Sequence, residues 1–167
     1  LPALLEAAAG SGVEAVPGIE FSTDYRQTEL HILGLFIKPQ NYSAVTEKLE
    51  QMLRWKEQSN LDLVAALRAA GVELDYDSIK AGTPGGQVNR AVIAADLVRR
   101  GYCTSIKEAF SKWLSPRCGY FRPPRRLESR DVIRFIKSIG AVAVLAHPFL
   151  NLDEQGLRGF LMEAVPA

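Results

Sequence analysis

Three side chains in this sequence have the types and the settings to do chemistry. Glu20 lies in the run Gly18-Ile19-Glu20-Phe21-Ser22, and His31 lies in Glu29-Leu30-His31-Ile32-Leu33-Gly34. His147 closes a third apolar run, Ala141-Val142-Ala143-Val144-Leu145-Ala146, and is followed by Pro148. The chain holds only two histidines, so both fall in strand-like segments rather than on charged helix faces. A carboxylate oxygen and an imidazole nitrogen that converge on one point suit a divalent cation of the Zn, Mn or Fe kind. A plainer arrangement uses the same residues: a hydrogen-bonded core histidine with the glutamate as its partner.

Whether Glu20 and His31 meet depends on a hairpin. Residues Val13 to Thr23 and Thr28 to Ile37 are rich in Val, Ile, Leu, Phe and Thr with partial alternation, which predicts two strands. A turn centred on Tyr25-Arg26 pairs Asp24 with Gln27, and then Ser22 faces Glu29 and Glu20 faces His31. Directly opposed residues have Cβ atoms about 4.5–5.5 Å apart. A slip of one residue would send every side chain to the other face. The run before His147 predicts a strand that ends in the imidazole. In α/β barrels and open parallel sheets the C-terminal ends of strands carry the chemistry.

These segments resemble the polymerase and histidinol phosphatase (PHP) superfamily of metal-dependent phosphoesterases, in its branch that acts on nucleotide bisphosphates and RNA 5′ ends. The matching pieces are Gly18-Ile19-Glu20 with Ser22, Leu30-His31-Ile32-Leu33-Gly34-Leu35, and Ala146-His147-Pro148. A looser match runs from Asn89-Arg90 through Phe110-Ser111-Lys112-Trp113-Leu114 to Gly119-Tyr120. The resemblance implies an α/β fold: part of a distorted (β/α) barrel, helix-dominated, with a large all-α insertion. It implies a cluster of up to three metals, to which Glu20, His31 and His147 contribute the protein ligands of one position. It also implies that these residues bind a divalent metal (Mn, Zn or Fe) and do not themselves attack the phosphate.

The departures from the family pattern matter as well. The family's opening His-x-His strand, its Asp-His pair and its closing Asp-x-His are missing. The expectation is therefore an internal fragment with no complete catalytic set, inactive alone. Val92 stands where the pattern tends to have a histidine two residues after the arginine matching Arg90.

The elements around these segments divide the chain into three parts: 1–40 with the hairpin, 41–127 as a helical insertion, and 128–167 as helix, strand and helix. Apolar residues from Val45 to Leu67 recur at helical spacing, predicting one long helix from Ser43 to Ala70 with a possible bend at Ser59-Asn60. Shorter helices are predicted over Asp75–Lys80, Val88–Arg100 and Ile106–Leu114, and over the stretch from Ser129 to Ile139. The last helix is predicted from Asp153 to Val165. The step from the helix ending at Gly140 into the strand before His147 reads as the αβ half of a parallel unit.

Charge is segregated. Residues 99–130 carry 9 Lys and Arg against 2 Asp and Glu, in a chain whose net charge is +1. Such patterning speaks to partners rather than to fold. The run from Arg117 through Tyr120, Phe121 and Arg122 to Arg126 alternates arginines with aromatics. Guanidinium forks suit phosphate and aromatic rings suit stacked bases, although a solvated basic loop accounts for the same composition. Together with the resemblance, this gives Arg90, Arg117, Arg122 and Tyr120 as candidate phosphate contacts for a phosphorylated nucleotide or RNA 5′ end.

The composition, 47% hydrophobic and 23% charged, is that of a globular chain. No run approaches the ~20 apolar residues of a membrane helix, so no membrane partner is expected. Cys103 and Cys118 form no disulfide framework or paired-cysteine metal motif, which points to a cytoplasmic protein. A truncated barrel would leave sheet edges open, with homo-oligomerisation as a consequence. Two other functions compete: a different PHP activity such as histidinol-phosphate phosphatase, and a helical nucleic-acid or protein-binding module whose histidines are structural.

Overall fold

The computed structural model describes residues 2–164. In chain order the helices and strands are α1 (Pro2–Ala8), β1 (Gly18–Tyr25), β2 (Thr28–Leu35), α2 (Tyr42–Ala69), α3 (Tyr76–Ala81), α4 (Arg90–Arg99), α5 (Ile106–Ala109), β3 (Leu127–Glu128), α6 (Ser129–Ser138), β4 (Val142–Ala146) and α7 (Glu154–Ala164). The helix-dominated α/β class expected from the sequence is the one observed. Two compact units divide the chain. One takes the residues up to Leu49 together with those from Arg126 onward, and the other takes Glu50–Arg125.

The first unit is built on a four-stranded mixed sheet in the order β3-β1-β2-β4. The β1–β2 hairpin alternates cleanly. Phe21, Thr23, Tyr25, Leu30, Ile32 and Gly34 are buried on one face, while Glu20, Ser22, Asp24, Glu29 and His31 occupy the other. Period-two alternation of this kind is what a half-covered antiparallel pair requires. The covering helices are α6, which buries Val132 and Ile136, and α7, whose Phe160 packs edge-on against Tyr25 at 5.0 Å. Gly34 allows α6 to come close, since a Cβ there would lie 3.2 Å from Ile136.

The turn differs from the expected one. Tyr25 pairs with Thr28, Asp24 with Glu29 and Ser22 with His31, so the register is displaced by two residues and Glu20 lies opposite Leu33. The two loop residues, Arg26 and Gln27, both have positive φ (52° and 68°). That is the geometry of a two-residue primed turn, whose twist suits the flanking strands. Neither residue is a Gly or Asn that would mark such a turn. Instead, the backbone N–H of Gln27 donates to Asp24 Oδ1 at 2.9 Å. Because the displacement is two residues and not one, Glu20 and His31 keep their common face.

β4 pairs antiparallel with β2, His31 lying opposite Ala146, and the parallel unit expected of the helix-to-strand step links it to β3 rather than to its neighbour in the sheet. β3 pairs parallel with β1. β3 and β4 therefore run in the same sense, and α6 carries the chain between them over the hairpin that separates them.

Hydroxyl groups fasten α6 to the sheet. Thr23 and Ser129 are both fully buried. Their oxygens lie 2.7 Å apart, with the Leu30 carbonyl 2.8 Å from the Thr23 hydroxyl and the Asp24 carbonyl 2.9 Å from that of Ser129, so that two hydroxyl protons are shared among three contacts. Buried polar groups satisfied in this way are costly to strip of a partner.

The second unit packs α3, α4, α5 and the part of α2 from Glu50 onward around Leu63, Leu67, Val72, Ile93, Leu97, Leu114 and Phe121. α2 is helical throughout, so Ser59 and Asn60 mark no break. They are buried and bind outward: Ser59 Oγ donates to the Arg122 carbonyl at 2.6 Å and Asn60 Nδ2 to that of Val88 at 3.0 Å. The helix predicted over Ile106–Leu114 changes form midway. Phe110–Leu114 is a π-helical turn, closed by Ser115 N–H donating to the Phe110 carbonyl at 3.0 Å. The last helix ends at Ala164, and the predicted final residue, Val165, lies outside the described residues.

Arg90 organises the loop that follows. Its guanidinium stacks 4.1 Å over the Phe121 ring and 5.6 Å from that of Phe110, and it donates to the Leu114 carbonyl at 3.1 Å. Arg125 lies over Trp55, and Trp113 over Tyr120 at 5.3 Å. Burial pushes the Cys103 thiol up from its ordinary pKa, as expected for a structural cysteine in this core.

Two expectations test these contacts. Thr23→Val and Ser129→Ala should each lower stability by about 1–3 kcal/mol in chemical denaturation, the double variant falling short of the sum because the two hydroxyls share a contact. Arg90→Lys keeps the charge but loses the planar fork. It should lower the thermal midpoint, followed by circular dichroism, by an amount corresponding to about 1–2 kcal/mol.

Candidate metal centre

Three strands deliver the polar cluster of the first unit. Glu20 stands on the open face of β1. His31 stands on the same face of β2, diagonal to Glu20, and side chains as long as these reach across a diagonal of about 7–8 Å. His147 directly follows β4, whose last residue is paired with His31. Its backbone is left-handed, with φ 31° and ψ 56°. A following proline disfavours the right-handed helical region for the residue before it. Pro148 then starts a short turn in which Leu150 N–H donates to the His147 carbonyl at 3.0 Å. Uncommon backbone geometry in a non-glycine residue is frequent at functional sites.

The three functional groups converge. His31 Nδ1 lies 2.8 Å from Glu20 Oε1 and 3.2 Å from His147 Nε2, and His147 Nε2 lies 3.3 Å from the same Glu20 oxygen. The two imidazoles are nearly perpendicular, with centroids 4.8 Å apart. Glu20 and His147 each keep 47% of their side-chain surface and His31 keeps 25%, so the cluster is open to solvent.

This donor set fits a divalent cation. Two imidazole nitrogens and a carboxylate oxygen are three donors that one cation can take at once. Ligand bonds of about 2.0–2.2 Å in tetrahedral geometry place neighbouring ligand atoms roughly 3.3–3.6 Å apart; the two contacts of His147 Nε2, at 3.2 and 3.3 Å, approach that spacing, and the His31–Glu20 contact at 2.8 Å is shorter.

A second layer of contacts backs His31, and sequence reasoning did not assign it a role. His31 Nε2 lies 3.4 Å from Glu29 Oε1 and 3.4 Å from Ser22 Oγ. The other oxygen of Glu29 accepts from Arg126 at 2.6 Å. Asn151 Nδ2, four residues after His147, donates to the Glu29 carbonyl at 2.9 Å. The available signal was the two-residue spacing from Glu29 to His31, which puts both on one face of a strand. Arg126 had no signal of its own within the basic run.

The candidate phosphate contacts lie in the second unit. Arg117 and Arg122 are exposed, Tyr120 is half-buried against Trp113, and Arg90 is engaged as described. Phe121, one of the rings read as a surface for bases, is only 6% exposed and lies beneath Arg90, so it is part of the core.

No family model matches the chain. It is 29% identical over 153 residues to a 5′-3′ exoribonuclease of Haemophilus influenzae, covering 91% of this chain and 55% of the relative. Identity to the Escherichia coli 5′-3′ exoribonuclease Rnm is 29% over 150 residues, or 89% of this chain and 51% of that protein. A 3′,5′-nucleoside bisphosphate phosphatase of Chromobacterium violaceum is 27% identical over 149 residues, covering 87% and 52%. The chain thus spans about half the length of the curated relatives it matches.

Among solved structures, an amidohydrolase from Chromobacterium violaceum superposes with TM-score 0.77 at 23% identity, over 99% of this chain and 58% of that one. A candidate metal-dependent phosphoesterase from Bifidobacterium adolescentis gives TM-score 0.73 at 21% identity, over 97% and 59%. Both show the likeness of fold. The likeness to these relatives extends along nearly the whole chain and is consistent with the PHP-superfamily resemblance carried by the glutamate and histidine segments.

Proposed function

We propose that this chain carries one metal position of a phosphoesterase that hydrolyses phosphate esters of nucleotides or of RNA 5′ ends. The observation that supports it is the convergence of Glu20 Oε1, His31 Nδ1 and His147 Nε2, all within 3.3 Å of one another. The relatives bear on the substrate class: those named are exoribonucleases and a nucleoside bisphosphate phosphatase. A binding module with structural histidines would use the same atoms, both imidazoles donating to Glu20, and it is the named relatives that weigh against it.

In this reading Glu20, His31 and His147 hold a divalent ion, with Mn, Zn and Fe as the candidates for an N,N,O donor set. When bound, such an ion would supply activation of water for attack and neutralisation of charge on the phosphoryl oxygens. The protein groups bind and orient; none of the three is the nucleophile. Arg117, Arg122 and Tyr120 are the proposed phosphate and base contacts, with Arg90 fixing the loop that bears Tyr120. The cytoplasm is the proposed compartment, supported by two free thiols, Cys103 and Cys118. Among the described residues no helix is long and apolar enough to cross a membrane.

Metal analysis tests the reading. The purified chain should retain a transition metal after desalting, and Glu20→Ala, His31→Ala and His147→Ala should each lose it. Equal metal content in wild type and variants would refute the assignment. In a protein of the relatives' full length, the same substitutions should lower hydrolysis of 3′,5′-nucleoside bisphosphate or 5′-phosphorylated RNA by more than about 100-fold, beyond the roughly 10–100-fold cost of losing a group that merely supports a ligand.

A further inference from the structure

The imidazole of His31 faces the metal cluster with Nδ1, so its remaining nitrogen decides which tautomer is present. If Nδ1 is to offer a lone pair, Nε2 must carry the proton and needs an acceptor. Two groups stand there, the Ser22 hydroxyl and the Glu29 carboxylate, each at 3.4 Å. Only the carboxylate is an obligate acceptor, because a hydroxyl can either give or take a proton. Arg126 holds the far oxygen of Glu29 at 2.6 Å, and both partners are partly buried, with 21% and 37% of their side-chain surface left.

We infer that Glu29, braced by Arg126, is a positioning residue that fixes His31 in its metal-binding tautomer and orientation. The same residue also ties in the other histidine segment. Asn151, on the turn that follows His147, donates to the Glu29 backbone carbonyl at 2.9 Å. Glu29 therefore joins both imidazoles: its side chain steadies one ring, and its main chain anchors the loop that bears the other. Carboxylates that accept from the outer nitrogen of a ligating histidine commonly set ligand basicity and ring orientation.

This inference rests on the metal-site reading above, and the experiment separates the two. The probe is Co(II), titrated into the metal-free chain and read by the visible absorption of the bound ion and by competition with a chelator. Wild type should bind and develop a spectrum, and Glu20→Ala should not. Glu29→Ala should bind about 10–100-fold more weakly with a shifted spectrum. Its side-chain loss leaves the backbone bond to Asn151 in place. Glu29→Gln, which keeps a carbonyl oxygen toward Nε2, should recover most of the affinity and the wild-type band positions. Arg126→Gln should shift both in the direction of Glu29→Ala but less far, and it serves if Glu29→Ala fails to fold, as judged by the thermal midpoint of the metal-free proteins.

A wild-type chain that takes up no Co(II) sinks the metal reading and this inference together. Binding by wild type with unchanged affinity and spectrum in Glu29→Ala sinks the inference alone. So does a loss of affinity in Ser22→Ala that exceeds the loss in Glu29→Ala, since the hydroxyl would then be the partner that matters.

Discussion

The strand register of β1, β2 and β4 is the constraint on which the polar cluster depends. Glu20 and His31 belong to adjacent strands, and the residue before His147 is paired directly with His31. A slip of one residue in either ladder would turn a charged side chain toward Phe160 and Val132 and send an apolar one to solvent. The apolar face thus enforces the polar one. Packing of α6 and α7 specifies the register, and the register in turn brings three ligand atoms together.

The sheet's open face carries more than those three groups. Ser22, Asp24 and Glu29 share it, and Glu29 bridges His31 to Arg126. The left-handed backbone at His147 belongs to the same design. It ends β4 where the strand leaves its pairing with His31, and the turn after it returns Asn151 to the Glu29 carbonyl. Residues widely separated in the chain are made neighbours by one sheet and one reversed residue.

The helical unit uses its basic and aromatic residues differently from what composition implies. Arg90 and Phe121 spend their surfaces on each other, and Arg125 lies over Trp55. Cation–π contacts of this kind stabilise a loop rich in Pro and Gly that has little regular structure of its own. Arg117 and Arg122 keep their side chains in solvent. A run of alternating arginines and aromatics thus divides into residues that hold the loop and residues the loop presents.

Periodicity and residue type were enough to read the helix-dominated α/β class, the two central strands, most helices, and the family likeness carried by the glutamate and histidine segments. Local rules suffice there, because alternation and apolar spacing are properties of a few consecutive residues. The turn at Arg26-Gln27 was not legible, since neither residue is one that favours positive φ and an aspartate side chain does the stabilising. The antiparallel partner of β4 was hidden as well: which strand lies beside it is settled by how α6 crosses the hairpin. Only the tertiary structure decided that Glu20 meets His31 on a diagonal, that Glu29 and Arg126 stand behind His31, and that Phe121 is core. Each of these is a distance between groups far apart in the chain, and only packing of the whole unit sets such distances.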